Sequence, residues 1–154
     1  VKRDPYEGAI RVPMLVRYPN KIEARSTNDT PWYFADIMPT LAEISNGTVP
    51  ESIDGVSIVP SLFGQKQDLG ERYMYWEFFE QKGWRVARFG DWKAIQHNMH
   101  SNSPDSIELY NIKMDISETK NIAGIHLEKI KEAEEIFKEA RIPSEHFVWR
   151  NDKE

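Results

Sequence analysis

The sequence predicts an α+β fold in which a four-stranded antiparallel meander packs against a C-terminal helix. Strand-like runs in the second half of the chain are separated by tight turns at residues 81–83 and 90–91. An amphipathic stretch at residues 126–141 follows them and has helical spacing. With 154 residues, of which 40% are hydrophobic, the chain is long enough to bury a core of its own.

Four runs of β-favouring residues define the predicted meander. They cover residues 72–80, 84–89, 92–97 and 107–110. Side chains along the first run alternate between the two faces of the predicted sheet, and both faces carry aromatic residues. We therefore expect this run to be a central strand. The loop at residues 98–105 is rich in Asn, Ser and Pro and should be exposed.

The stretch at residues 126–141 is the clearest helix in the chain. Its apolar stripe consists of Leu127, Ile130, Ala133, Phe137 and Ala140. The remaining positions are mostly Glu and Lys at pair-forming spacing, so the stripe should cover one face of the meander. Pro143 ends the helix, and we expect the tail at residues 144–154 to be loosely held, despite Phe147 and Trp149.

The first half of the chain predicts a strand and a helix that precede the meander. Tyr6-Glu7-Gly8 is typical of a turn, and the apolar run Val12–Val16 predicts a short buried strand. Asp36 is placed to cap a helix that ends at Asn46-Gly47 and should lie against the sheet containing that strand. One helical turn is predicted at residues 58–63, within an irregular connection.

Composition excludes several functional classes. The net charge is −5 and the basic residues are interleaved with acidic ones, which argues against nonspecific binding of nucleic acid. No apolar run approaches membrane-spanning length. The absence of cysteine removes disulfides and thiolate metal sites, although it does not identify a compartment.

Short motifs in a fixed order give the sequence a family resemblance. Lys2, then Tyr6-Glu7-Gly8 and Ile10-Arg11-Val12-Pro13, resemble the K-x-x-x-Y-E-G-G-x-R-x-P segment of type I sulfatases, the arylsulfatase-like branch of the alkaline phosphatase superfamily. The other matching pieces are Asp36–Leu41, Ile53–Ser57, Tyr75-Trp76-Glu77, Gly90–Lys93, Glu108–Asn111 and Asp115–Ala123. Each piece alone is weak, but their order makes the resemblance specific.

The resemblance implies a C-terminal portion of a sulfatase. Residues 1–70 would end the α/β catalytic domain, residues 71–143 would form the antiparallel sheet and helix subdomain, and residues 144–154 would be a tail. Similar enzymes hydrolyse sulfate esters with a formylglycine made from Cys or Ser beside a calcium ion. The chain has no Cys, and its serines lack the required flanking Pro/Ala and Arg, so we expect nucleophile, calcium and formylglycine in an N-terminal part and an inactive isolated fragment.

The resemblance also implies site residues. Lys2 matches the family's sulfate-binding lysine, and an ammonium group suits a tetrahedral oxyanion. Trp84 and His97 supply a flat apolar face and a hydrogen-bonding ring, the usual ingredients of a carbohydrate subsite. The alternative is that Trp84 belongs to the core and that His97 is an ordinary polar group. Glu7 and Arg11 are expected to be structural: they would pair with each other or with the backbone and fix the loop that carries Lys2. No metal site is predicted.

Other functions remain open at this point. The module could bind a glycan or support a partner domain without catalysis, or belong to a phosphodiesterase or phosphonate hydrolase of the same superfamily. The expected partners are a sulfated carbohydrate or another sulfate ester, the N-terminal sulfatase domain, and a second copy of the chain through apolar faces that the truncation exposes. By resemblance, such enzymes are periplasmic, secreted or lysosomal. Phe79 stands where many relatives carry a substrate-facing histidine, so a particular sugar specificity does not carry over.

Overall fold

The computed structural model describes residues 3–149, which fall into two compact units. One unit comprises residues 14–70, and the other combines the segment before residue 14 with the chain from residue 71 onward. Among the described residues, no helix is long and apolar enough to cross a membrane.

The larger unit contains the predicted meander. Its strands are β1 (Tyr73–Phe78), β2 (Trp84–Phe89), β3 (Trp92–His97) and β4 (Glu108–Asn111). They pair antiparallel in sequence order. Gly90 (φ 53°) takes the left-handed conformation in the two-residue turn between β2 and β3. The predicted α+β class is therefore confirmed.

The C-terminal helix covers one face of the sheet, as predicted. This helix is α4 (Leu127–Glu139). The three helices that precede it in the chain are α1 (Glu7–Ile10), α2 (Ile37–Ile44) and α3 (Val59–Leu62). Its apolar stripe buries Ala133, Ile136 and Phe137 against Ala87 and Leu109 of the sheet. Burial of these apolar side chains stabilises the unit.

The opposite face of the sheet packs against the start of the chain. Val86, Ile95 and Tyr110 form a second buried cluster, and Tyr6 lies against it. The turn predicted at Tyr6-Glu7-Gly8 is in fact the beginning of α1, a single helical turn. The meander is thus covered on one face by α4 and on the other by the N-terminal segment.

Strand β1 lies at an edge of the sheet, so the prediction of a central strand is wrong. Aromatic residues on both faces suggested two neighbouring strands. Their contacts come from other elements instead: the ring of Tyr75 lies 6.1 Å from that of Phe137 in α4, and Phe78 stacks on Trp84 on the other face. Burial on both faces does not require a partner at both edges.

The tail is also held more firmly than predicted. Trp149 is only 2% exposed, and its ring stacks on Phe79 with centroids 4.1 Å apart. A Cβ on Gly83 would lie 2.6 Å from the Trp149 ring, so this glycine (φ 73°) leaves room for it. The tail beyond residue 149 lies outside the described residues.

The smaller unit is built around α2. A short 3₁₀ turn, Phe34–Asp36, leads into this helix, and α3 follows after an irregular connection. The helix and the helical turn agree with prediction, with small shifts at their ends. The apolar side chains of Met38 and Leu41 are 57% and 59% exposed on α2.

The strand predicted at Val12–Val16 is not formed. No strand lies within residues 14–70, all of which the structure describes, and Leu15 is 97% exposed. A β-strand exists through hydrogen bonds to a neighbouring strand, and an apolar run alone does not supply one. For the same reason, the expected packing of α2 on a sheet containing this strand has no counterpart in this unit.

Two of the family motifs, Asp36–Leu41 and Ile53–Ser57, are joined by hydrogen bonds within the smaller unit. The buried Asp36 carboxylate accepts hydrogen bonds from the backbone N–H groups of Tyr33 and Val56 at 3.1 and 2.9 Å. Thr40 accepts one from Ile58 N–H at 3.1 Å. A Cβ on Gly55 would lie 1.9 Å from the Ala35 carbonyl oxygen, so only glycine fits there.

Candidate functional site

The N-terminal segment is anchored at one end of the sheet. Lys2 itself lies outside the described residues. Its neighbour Arg3 has a left-handed backbone (φ 78°), and its carbonyl oxygen accepts a hydrogen bond of 2.9 Å from Trp84 Nε1. The Arg3 guanidinium also pairs with Glu80 at 2.8 Å, on the surface. The residue after Lys2 is therefore tied to the end of the β1–β2 hairpin.

Trp84 and His97 lie side by side, which the sequence could not establish. They are cross-strand partners at the same end of β2 and β3, and Phe78 continues the row on β1. The rings of Phe78 and Trp84 are stacked at 5.3 Å with an interplanar angle of 18°. Directly paired residues share a sheet face, so the three rings form one aromatic row beside the N-terminal segment.

A carboxylate next to this row joins three polar rings. Glu108 Oε2 accepts hydrogen bonds of 2.9 Å from both Tyr6 and Tyr110. His97 Nε2 lies 3.3 Å from the Tyr6 hydroxyl oxygen and 3.9 Å from Glu108 Oε1. Because the Tyr6 hydroxyl donates to Glu108, its oxygen is left to accept a hydrogen bond from His97. His97 is therefore oriented by neighbours and keeps 29% of its side chain exposed.

This environment favours the neutral phenols. Burial, reinforced by the hydrogen bond to Glu108, raises the pKa of Tyr6 to about 12. The same causes raise the pKa of Tyr110 above its usual value. Both hydroxyls therefore remain donors at any physiological pH. Tyr6, Tyr110 and Glu108 were not predicted as site residues, because only the folded sheet brings them together.

Glu7 has an unexpected partner. It is buried, and its carboxylate lies 3.0 Å from Lys93 Nζ and 4.0 Å from the Arg88 guanidinium. Lys93 also contacts Glu118 at 2.8 Å. The sequence allowed a pair between Glu7 and Arg11, but Arg11 is exposed and the observed ion pairs of Glu7 are with the sheet.

The other polar side chains near the sheet have structural partners. His100 Nε2 lies 2.7 Å from the Phe79 carbonyl oxygen, and its ring meets the edge of Trp149. Asn98 donates to Asp105 at 3.2 Å. Within residues 3–149 no three His, Asp or Glu side chains are grouped so that they could hold a metal ion. The described residues therefore do not fit a calcium site.

Comparison with known proteins identifies the family. Residues 1–141 match the family described as N-sulphoglucosamine sulphohydrolase, C-terminal. A sulfatase from Formosa agariphila is 32% identical over 133 residues, which cover 76% of this chain and 23% of that protein. An N-acetylglucosamine-6-O-sulfatase from Bacteroides thetaiotaomicron is 30% identical over 131 residues, which cover 80% of this chain and 23% of that protein.

Solved structures agree with these relatives. One protein, determined in complex with its substrate D-glucosamine-2-N,6-O-disulfate, superposes with a TM-score of 0.62 at 27% identity. The match covers 80% of this chain and 26% of that one. The chain thus spans about a quarter of the length of these relatives.

Proposed function

The chain belongs to the family of sulfatase C-terminal domains, and from this premise we propose that it forms the C-terminal part of an enzyme that hydrolyses sulfate esters of a carbohydrate. Support for the reaction comes from sulfatase relatives that match most of the chain. Support for the substrate class comes from two relatives. One is named as an N-acetylglucosamine-6-O-sulfatase, and the other was determined in complex with a sulfated glucosamine. The single observation that carries the proposal is the family match over residues 1–141.

In this proposal Lys2 contacts the sulfate group. Its ammonium charge would offset the negative charge that develops on the sulfate oxygens while sulfur is transferred. The proposal is supported by the anchoring of Arg3, because the hydrogen bond from Trp84 limits how the chain beside Lys2 can be oriented. A fixed charge is more useful than a mobile one, since preorganised groups need not reorganise during the reaction.

Trp84 and His97 would form one wall of the substrate cleft. The aromatic row offers a flat surface on which a sugar ring can stack, and His97 offers a hydrogen bond to a hydroxyl group. His97 is oriented by Tyr6 and Glu108, so it can be presented in a defined direction. These features suit recognition of the sugar and not the reaction at sulfur.

The nucleophile and the metal would be supplied by the rest of the enzyme. The family implies formylglycine and calcium, whose chemistry is attack on sulfur and stabilisation of the sulfate charge. The chain has no cysteine, and its described residues provide no metal cluster. In this proposal the chain contributes the ammonium group of Lys2 and the part of the sugar-binding wall formed by Trp84 and His97.

The test is Lys2→Ala in the full-length protein that contains this chain, assayed for sulfate release. Loss of one preorganised charge contact at the transition state should lower kcat by about 100-fold or more. Lys131→Ala, on the exposed side of α4, is the matched control and should leave the rate unchanged. Equal rates for Lys2→Ala and wild type would favour a non-catalytic, glycan-binding or structural module.

A further inference from the structure

We propose that Lys93, Glu7 and Glu118 are positioning residues: their buried ion-pair cluster holds the segment from Arg3 to Ile10 on the sheet and thereby aims Lys2 at the sulfate group. This inference rests on the proposed function, because it gives the cluster a task only if Lys2 contacts sulfate. The three residues come from α1, from β3 and from the loop after β4.

The cluster is buried and its contacts are short. Lys93 is 0% exposed, and its Nζ lies 3.0 Å from Glu7 Oε1 and 2.8 Å from Glu118 Oε1. Glu118 Oε2 also accepts a hydrogen bond from the backbone N–H of Glu7 at 2.5 Å. Lysine is almost never fully buried unless it is paired. Glu118 therefore fixes both the backbone and, through Lys93, the side chain of the residue that begins α1.

The charges of the cluster balance. Arg88 lies 4.0 Å from Glu7 and adds a second cation to the two carboxylates. Stability alone does not explain a buried ion-pair cluster, because apolar residues of similar volume often stabilise the folded protein as much. Ion pairs with hydrogen bonds differ from apolar contacts in being directional. Direction is what a segment needs if it must present one charged side chain accurately.

The backbone of Glu118 supports a requirement for its side chain. Its φ of 54° is left-handed, a conformation that glycine adopts most readily and that is strained for other residues. The loop is held independently by Asp115, whose carboxylate accepts hydrogen bonds from Lys120 N–H at 2.9 Å and Thr119 Oγ1 at 3.1 Å. Glycine would adopt this backbone more easily but has no carboxylate. We therefore infer that the side chain of Glu118 is what this position requires.

The segment depends on side chains for its attachment. The backbone hydrogen bonds of α1 run inside the segment, from Ala9 and Ile10 to Tyr6 and from Arg11 to Glu7. Its ties to the sheet include the Trp84 bond to Arg3, the Tyr6 bond to Glu108 and the Glu7 cluster. Of these three, the cluster is the most deeply buried. Glu7 is four positions from Arg3, the residue that follows Lys2 in the sequence, so the cluster holds the part of the chain that leads to Lys2.

The test is a double variant, Lys93→Met with Glu118→Met, in the full-length protein. It replaces the pair by side chains of similar length and leaves Glu7 balanced by Arg88. We expect kcat to fall by about 10- to 100-fold with a smaller change in KM, because misplacement of about 1 Å can cost that much. Lys113→Met, which removes an exposed ion pair with Asp91, is the control and should leave kcat unchanged.

Coupling to Lys2 separates positioning from general stability. If the cluster acts by aiming Lys2, the double variant should cost little further activity once Lys2→Ala is already present. Equal fold losses in both backgrounds would overturn the inference while leaving the proposed function intact. If Lys2→Ala alone had no effect, both would fall.

Hydrogen exchange provides a second measurement that does not depend on activity. In the double variant, amides of residues 3–11 should exchange faster, whereas those of α4 and β2 should keep their protection. If that variant does not fold, Glu118→Gln, which keeps the shape and removes the charge, takes its place with the same expectation. Unchanged exchange in residues 3–11 in a folded variant would overturn the inference.

Discussion

Replacing Lys93 alone by Met should strongly destabilise the larger unit. The change removes the cation that two carboxylates share, and these carboxylates belong to residues that are only 4% and 8% exposed. Breaking a buried pair by removing one partner costs about 3–5 kcal/mol, because the remaining charges are left without compensation. For a chain of this size, that corresponds to a decrease in Tm of roughly 6–20 °C.

The assay is urea unfolding of the chain followed by tryptophan fluorescence. Four of the five tryptophans belong to the larger unit, so the signal reports mainly on that unit. Lys113→Met is the control, since its ion pair with Asp91 is exposed and should contribute about 0–1 kcal/mol. The Lys93→Met/Glu118→Met double variant should regain part of the loss. A Lys93→Met variant as stable as the control would refute the account of a buried cluster.

Three further predictions concern other contacts. Gly55→Ala should destabilise residues 14–70 by about 1–3 kcal/mol, because its Cβ would meet a carbonyl oxygen at 1.9 Å, whereas Gly8→Ala, with open space around it, should not. Trp149→Ala should cost about 3–5 kcal/mol in urea unfolding, since the ring is 2% exposed. The pKa of Tyr6 is raised to about 12 from 10.0, so the stability that its protonated hydroxyl contributes is complete below pH 10 and is lost as pH rises towards 12. The free energy of unfolding of wild type should therefore fall more steeply across this range than that of Tyr6→Phe.

Each of these predictions has a clear contrary outcome. Equal thermal unfolding of the Gly55→Ala and Gly8→Ala variants would show that the approach to the carbonyl is not tight. A Trp149→Ala chain with unchanged stability would mean that the tail does not contribute to the core. Parallel stability curves for wild type and Tyr6→Phe in alkaline solution would remove the buried phenol as a cause of the pH dependence.

The meander and α4 could be predicted because their signals are local. Alternation of side chains over six residues and tight turns at Gly83 and Gly90 define β1 to β3 without knowledge of distant contacts. The stripe on α4 likewise reports the face that it buries. Such patterns give the face on which a residue lies, but they do not give its partner.

The elements that depend on distant partners could not be predicted. Lys93 follows a turn motif and would ordinarily be taken as solvated, and nothing local links it to Glu118, 25 positions later, or to Glu7, 86 positions earlier. Trp149 appeared to belong to a loose tail because its contact, Phe79, lies in a distant hairpin. The strand predicted at Val12–Val16 failed for the converse reason, since the run is apolar but has no partner strand in the described chain.

The candidate site was predicted in part. Trp84 and His97 were selected from residue type and family resemblance, and the register of β2 and β3 places them next to each other. Tyr6, Glu108 and Tyr110 were not predicted as site residues, because neither the turn pattern around Tyr6 nor the strand pattern at residues 107–110 shows which hydrogen bonds form across the sheet. The role of Lys2 in sulfate binding stays a prediction, as do those of Trp84 and His97 in substrate binding.

The proposed sulfatase activity is best tested by product analysis with the full-length protein that contains this chain. The protein would be offered glucosamine 6-sulfate and glucosamine 6-phosphate at equal concentration, and the released inorganic anions would be measured. We expect release of sulfate, with the phosphate ester hydrolysed much more slowly. Release of phosphate alone, or of neither anion by a folded protein that still binds the sugar, would contradict it.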